Sequence, residues 1–182
     1  GILFNEETMM PIDVATMSIG QGIAVTPMQM ITAFSAIANG GKKVQPHIVG
    51  KILGADGKVV WEFKEGINDV ILKPEVDQQL VGLMEKVISE GGGKKAKVEG
   101  CRFAGKTGTA EKLNETGGGY LEGRYIASFA GFGPLEDPQI AVLVIIDDPE
   151  GVYYGGQIAA PVFSHVAGEI MQYLGIPPTQ AY

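Results

Sequence analysis

Gly105-Lys106-Thr107-Gly108-Thr109-Ala110 holds the residues best suited to chemistry. A cation beside two hydroxyls can recognise a carboxylate through charge-assisted hydrogen bonds. Small residues alternate with these groups, so Phe103 to Ala110 reads as a strand. Gly105 and Gly108 let a second backbone come close. Such an edge can bind an extended peptide with a terminal carboxylate by taking it as an added strand. The plainer reading of the same residues is a surface hairpin with a solvated lysine.

A second pattern overlaps the first. Gly100, Gly105, Lys106 and Thr107 match G-x-x-x-x-G-K-T without a mismatch. Val142 to Ile146, followed by Asp147 and Asp148, is similar to the apolar strand and acid that hold Mg²⁺ in P-loop NTPases. That chemistry needs a buried strand entering the loop and a helix leaving it, so that helix N–H groups face the phosphates. Lys94, Lys95, Lys97 and Glu99 precede Gly100 instead. After Thr107 the only apolar side chains before Gly117-Gly118-Gly119 are Ala110 and Leu113. The context opposes a nucleotide site, which stays as the weakest alternative.

These groups need elements to position them. Asp13 to Met17 suggests a short helical turn, broken by Gly20 and Gly22. Thr26, Pro27 and Gln29 form a capping-box signature for a helix with Met28, Ile31, Phe34, Ile37 and Ala38 as its stripe. Asn39, Gly40 and Gly41 end it. Val44 to Phe63 predicts a β-hairpin, with β-prone runs on either side of Asp56-Gly57. A helix follows Pro74, with Val76, Leu80, Leu83, Met84, Val87 and Ile88 inward, and stops at Gly91-Gly92-Gly93. Strands are expected over Arg124 to Phe132 and Gln139 to Ile146, the latter as a central strand, joined by Pro134 to Pro138. A last helix is expected over Pro161 to Leu174, with Val162, Phe163, Val166, Ile170 and Met171 inward and Gly175 and Pro177 closing it. Helices, then a meander of strands, then a packing helix make an α+β chain. There is no internal repeat.

Composition bounds the function. The chain has 182 residues, with 14 Lys plus Arg against 21 Asp plus Glu, for a net charge of −7. With no basic cluster beyond Lys94-Lys95-Ala96-Lys97, nucleic acid is not the expected partner. The longest apolar run, Ile140 to Ile146, is far short of the ~20 residues of a spanning helix. No basic stretch followed by an apolar one opens the sequence, so no signal peptide is expected within it. Hydrophobic residues at 45% indicate a globular chain. The 27 glycines are about twice the usual share, without a collagen period.

Other candidates read as structural. Cys101 lacks the His or Cys spacing of a metal site and is expected as an incidental near-surface thiol. No metal or cofactor is expected. Ser18 lacks the first glycine of a nucleophile elbow. His165 falls on the last helix as a packed or surface residue, so a Ser-His-Asp site has little support. Asp147 and Asp148 read as loop residues. Glu111, Lys112, Asn114 and Glu115 read as a solvated hairpin tip.

Lys-Thr-Gly is also the third signature of the penicillin-recognising serine acyltransferases. Ile19 to Gln29, Ala33 to Gly41 and Pro46-His47-Ile48 resemble the helical region of class B penicillin-binding proteins. Gly105 to Ala110 resembles their third strand, and Ser128 to Pro134 their fourth. Tyr154-Gly155-Gly156 and Ala160-Pro161-Val162-Phe163 resemble the loop into their last helix. The blocks stand in family order across most of the chain. They are most similar to division- or sporulation-type transpeptidases of Gram-positive bacteria.

The resemblance implies a β-lactamase/transpeptidase-like fold, an antiparallel sheet with flanking helices. It also implies a peptidoglycan D,D-transpeptidase that cross-links stem peptides through a serine acyl-enzyme and is trapped by β-lactams. Lys106 would supply positive potential at the substrate carboxylate and support proton transfer. Thr107 and Thr109 would hydrogen-bond that carboxylate, and the Thr109 N–H would form half of an oxyanion hole. Gly108, Gly155 and Gly156 would line the substrate edge. Tyr154 either lines the pocket or is a packing aromatic. The parent would act on the outer face of the cell membrane, held by an N-terminal anchor.

One departure matters. Ser18, Ser35, Ser89, Ser128 and Ser164 are each followed at the third position by a residue other than Lys, and no Ser-x-Asn occurs. The expectation is therefore the C-terminal part of one transpeptidase domain. Its helical part would cover about residues 9–90, with the hairpin at 44–63, and its sheet plus last helix about 98–175. Alone it would be inactive. The missing part would supply strands beside Ile140 to Ile146, so self-association through that open edge is expected. The competing reading is a non-catalytic module that binds a peptide or protein partner through the same groove.

Overall fold

A computed structural model describes residues 1, 7, 9–64, 66, 69–114 and 119–179. In chain order the elements are α1 (Pro11–Met17), α2 (Pro27–Ala38), β1 (Lys51–Leu53), β2 (Val59–Glu62), α3 (Pro74–Ser89), β3 (Ala104–Leu113), β4 (Tyr120–Gly133), β5 (Ile140–Asp147) and α4 (Gly155–Tyr173). The chain is α+β, with helices flanking an antiparallel sheet. Strands β1 and β2 form a separate antiparallel hairpin.

Local chemistry explains several boundaries. The Gln29 N–H donates to Thr26 Oγ1 at 3.2 Å, and the Thr26 N–H donates to Gln29 Oε1 at 2.9 Å. This reciprocal cap starts α2, with Pro27 at its first position. The β3–β4 hairpin is paired from Ala104↔Phe132 to Leu113↔Tyr120. Glu115, expected at its tip, lies outside the described residues.

Among the described residues the sheet order is β3-β4-β5, with β5 last, so the expected central place of β5 needs a further strand on its outer edge. The apolar run of β5 has one face packed on the core and a second that is only partly covered, with Ile145 exposed. Ile140, Val142, Val144 and Ile146 pack on the core beneath α4, whereas Ala141 packs towards Met84 and Phe132.

Helix α4 begins six residues before the expected Pro161, which lies inside it. Its buried face is Ala159, Ala160, Phe163, Ala167 and Met171, while Val162 is exposed. Three of those five are alanines, so large apolar residues alone give the wrong stripe. Phe163 packs edge-on to Phe103 at 5.9 Å between ring centroids and tilted to Phe129 at 4.8 Å. Such aromatic contacts add to the hydrophobic gain of burial. Cys101 is buried in this same core, contrary to the expected near-surface thiol. It behaves there as a small hydrophobe.

α3 shows a related difference. Met84 and Ile88 point inward, but Val76 and Leu83 are exposed and Asp77 is buried. Similarly, Met28 is exposed on α2, whose buried residue is Ala36. The Oδ1 of Asp77 has no hydrogen-bond partner, and burial pushes its carboxyl above the ordinary aspartate value. The folded state therefore favours the protonated acid. Its contribution to stability is full below the unfolded pKa and is lost as pH rises through the folded one.

Asp77→Asn is accordingly expected to stabilise the chain by about 1 kcal/mol at pH 7. The gain should vanish in denaturant titrations carried out below the ordinary aspartate pKa. A second substitution tests how α4 meets the sheet. A Cβ at Gly155 would lie 2.3 Å from both the Gly108 and Ser128 carbonyl oxygens. These are backbone atoms and cannot swing aside, so Gly155→Ala is expected to cost about 1–3 kcal/mol in the same titration.

Candidate functional site

The corner between β3 and the start of α4 gathers most of the expected site residues. The outer edge of β3 has no strand partner among the described residues. Side chains along a strand alternate between faces. Gly105, Thr107 and Thr109 share the face towards α4. A Cβ at Gly105 would meet the Phe129 ring, and the Thr107 Cγ2 lies 3.3 Å from where a Gly156 Cβ would stand. Lys106 and Gly108 project from the other face, where a Gly108 Cβ would strike Ser128 Oγ.

Each group has a defined setting. Lys106 is exposed, and its ammonium donates to the Thr107 carbonyl at 3.0 Å. Thr107 is half-buried and Thr109 exposed. The Gly155 N–H donates to Thr109 Oγ1 at 3.1 Å, leaving the threonine its own hydrogen to donate. The bond ties the substrate-strand candidate to the first residue of a 19-residue helix. The partial positive charge at that helix end faces the corner, and no acidic residue in its first turn opposes it.

Tyr154 precedes Gly155 and is 55% exposed, so it is no packed core aromatic. Its ring lies 4.5 Å from that of Tyr153, and the two hydroxyls are 3.3 Å apart. The Tyr153 hydroxyl holds the Tyr154 phenol above the ordinary tyrosine value. Tyr153 in turn stacks on Tyr125, with centroids 3.9 Å apart and planes 8° from parallel. Sequence reasoning missed Tyr125 and Tyr153. The Tyr153-Tyr154 pair beside Gly155 was a signal for one, but Tyr125 is found only through its place on β4. Lys95 was also missed as a neighbour of the site. Its ammonium donates to Gln157 Oε1 at 2.7 Å, in the first turn of α4.

The corner thus brings Thr107, Thr109, Gly155 and Gly156 together, with Tyr154 on its rim. Lys106 and Gly108 reach it from the opposite face of β3. The acids after β5 are ion-paired. Lys112 meets Asp147 at 2.8 Å, so it is not a freely solvated tip residue, and Arg124 meets Asp148. The nucleotide-loop pattern fails on geometry. Gly105, Lys106 and Thr107 lie within β3, which continues to Leu113, so no helix N-terminus follows the lysine. His165 is exposed.

Known proteins resemble the chain in sequence and in fold. The chain is 38% identical over 180 residues to stage V sporulation protein D of Bacillus subtilis, covering 98% of this chain and 28% of that protein. It is 34% identical over 187 residues to the peptidoglycan D,D-transpeptidase FtsI of Escherichia coli, again covering 98% of this chain and 28% of that protein. The structure of penicillin-binding protein 3 of Mycobacterium tuberculosis complexed with ampicillin superposes with a TM-score of 0.88 at 29% identity. That match covers 98% of this chain and 41% of the other. The chain therefore spans well under half the length of these relatives. The family model described as the penicillin binding protein transpeptidase domain matches residues 1–170. The chain belongs to the penicillin-binding protein transpeptidase family.

Proposed function

We propose that this chain is the Lys-Thr-Gly wall of a peptidoglycan D,D-transpeptidase site, with the Ser-x-x-Lys nucleophile carried by another segment of the domain. The observation that carries the reading is the open edge of β3, which presents Lys106 to Thr109 beside the glycine start of α4. An extended stem peptide adds to this edge as a strand. Lys106 supplies positive potential at its terminal carboxylate and supports proton transfer, while the Thr107 and Thr109 hydroxyls donate to that carboxylate. Gly108, Gly155 and Gly156 keep the approach clear, and Tyr154 lines one side.

In the proposed reaction a serine Oγ attacks the penultimate D-Ala carbonyl. The Thr109 N–H forms half of the oxyanion hole that holds the developing charge. The terminal D-Ala leaves as an amine, and an amine of a neighbouring peptide takes the acyl group and restores the serine. A β-lactam follows the first step, but its opened ring stays attached. No metal or cofactor enters this scheme. The proposed location is the outer face of the cell membrane. Among the described residues no helix is long and apolar enough to cross a membrane. The competing reading, a module that binds a peptide or partner without catalysis, uses the same edge and differs in lacking acyl transfer.

The edge of β5 gives the reading a second consequence. Its outer backbone edge has no strand partner among the described residues. Another strand of the same domain is the proposed occupant in the longer protein. In its absence a second copy of the chain would pair there.

A fluorescent penicillin should leave no covalent label on this chain alone and should label a longer polypeptide that includes Ser-x-x-Lys. Label on the isolated chain overturns the proposal, and a longer polypeptide that stays unlabelled favours the non-catalytic module. In the longer form, Lys106→Ala is expected to slow acylation by about a hundredfold or more. Light scattering of the isolated chain should show mass rising with concentration. A monomer at every concentration would refute the proposed pairing at β5.

A further inference from the structure

The loop from Asp148 to Tyr154 leads into the candidate site and is held by two adjacent residues of β4. Arg124 grips the Asp148 carboxylate through two guanidinium nitrogens, a fork geometry that fixes direction as well as distance. Tyr125 accepts the Asp148 N–H on its carbonyl at 2.8 Å and stacks its ring on Tyr153. The far end of the loop is pinned by Gly155 on Thr109. Asp148 has a φ of 55°, the one positive value outside glycine among the described residues. Asp tolerates this conformation better than most side chains, but surrounding contacts must still hold it.

We propose that Arg124 and Asp148 are positioning residues that set the tyrosine rim of the substrate edge. The pair closes the near end of the loop. That placement lets Tyr153 lie flat on Tyr125, brings Tyr154 against Tyr153, and delivers the Gly155 N–H to Thr109. A single exposed ion pair would do little. Here the fork, a backbone hydrogen bond and a stacked ring act on one seven-residue turn, so they reinforce each other. Lys112 and Asp147 form the neighbouring pair across the sheet and satisfy each other, leaving Arg124 to Asp148. The link to substrate rests on the function proposed above, whereas the positioning itself does not.

The test has two arms. In the first, Arg124→Gln, Asp148→Asn and Asp148→Gly are made in this chain. Near-ultraviolet circular dichroism reads the tyrosine stack, and amide exchange reads Gly155. All three variants should weaken the tyrosine signal and speed Gly155 exchange by about tenfold, while exchange at Ile88 in the core stays unchanged. Glycine keeps the left-handed turn, so an undisturbed Asp148→Gly would show that the turn alone holds the loop and would overturn the proposal. In the second arm the longer protein carries Asp148→Asn. Its encounter constant for penicillin should weaken by about tenfold with the acylation step unchanged, because the nucleophile stays in place. A loosened loop with unaltered encounter overturns the role at the substrate edge. Absence of label on the unmutated longer protein would overturn the proposed function and leave the first arm to decide the positioning.

Discussion

Everything at the candidate site depends on how closely the first turn of α4 approaches β3 and β4. Gly155 sits over the Gly108 and Ser128 carbonyls, at a distance where even one methyl carbon has no room. Its N–H is taken by Thr109 Oγ1. This is a backbone-to-backbone approach, and only residues without a Cβ allow it. Hydrophobic packing further along, through Ala159, Ala160, Phe163 and Ala167, presses the helix down. The glycines set where it stops. The Tyr154 ring and the polar groups of β3 are thereby placed relative to one another by backbone contacts, which vary less than side-chain contacts do.

Strand parity then divides the labour of β3. The face carrying Thr107 and Thr109 meets the start of α4, where the Thr109 hydroxyl accepts the Gly155 N–H and Thr109 itself stays exposed. The face carrying Lys106 changes along its length. Ala104 is buried against Met84 and Phe132, whereas Lys106 two residues later is exposed. The helical layer thus covers one end of that face and leaves the lysine end open. A cation on one face and hydroxyls on the other can act on the same ligand only at the strand edge. This favours edge-on binding of an extended ligand over a closed pocket.

The sequence was most informative where local chemistry decides the outcome. Thr26-Pro27 with Gln29 specifies its own cap, and Asp56-Gly57 its own hairpin turn. The lysine-threonine stretch was legible as a strand because small residues alternate with polar ones, and the P-loop pattern could be set aside because no helix signal follows it. The failures share a cause. The start of α4 and the burial of Cys101 both depend on what lies opposite in space. Gly155 to Ala160 looked like a loop because its packing face is made of glycine and alanine, which give no hydrophobic period. Asp77 sits where an apolar residue was expected, and no periodicity rule predicts a carboxyl there. Tyr125 lies 28 residues before Tyr153, and only the β4–β5 pairing, which sets Ile126 opposite Asp147, brings them face to face.

That last case bears on how sites of this kind are built. The residues that would touch ligand are few and sit in short, readable blocks. The residues that aim them are scattered, and their types are unremarkable until the fold is known. Arg124 and Asp148 look like any surface charges in the sequence. In the fold they clasp the start of a loop whose last residue is Tyr154 and which leads straight into α4. A change there alters the angle of everything beyond it, because the loop is short and tied at both ends. The chemistry-bearing edge of β3 is rigid by virtue of its pairing with β4. The loop opposite has no such ladder and must be held by a few discrete contacts. Small changes in the angle of the rim are therefore more readily made at this loop than on the strand, whose backbone the ladder fixes.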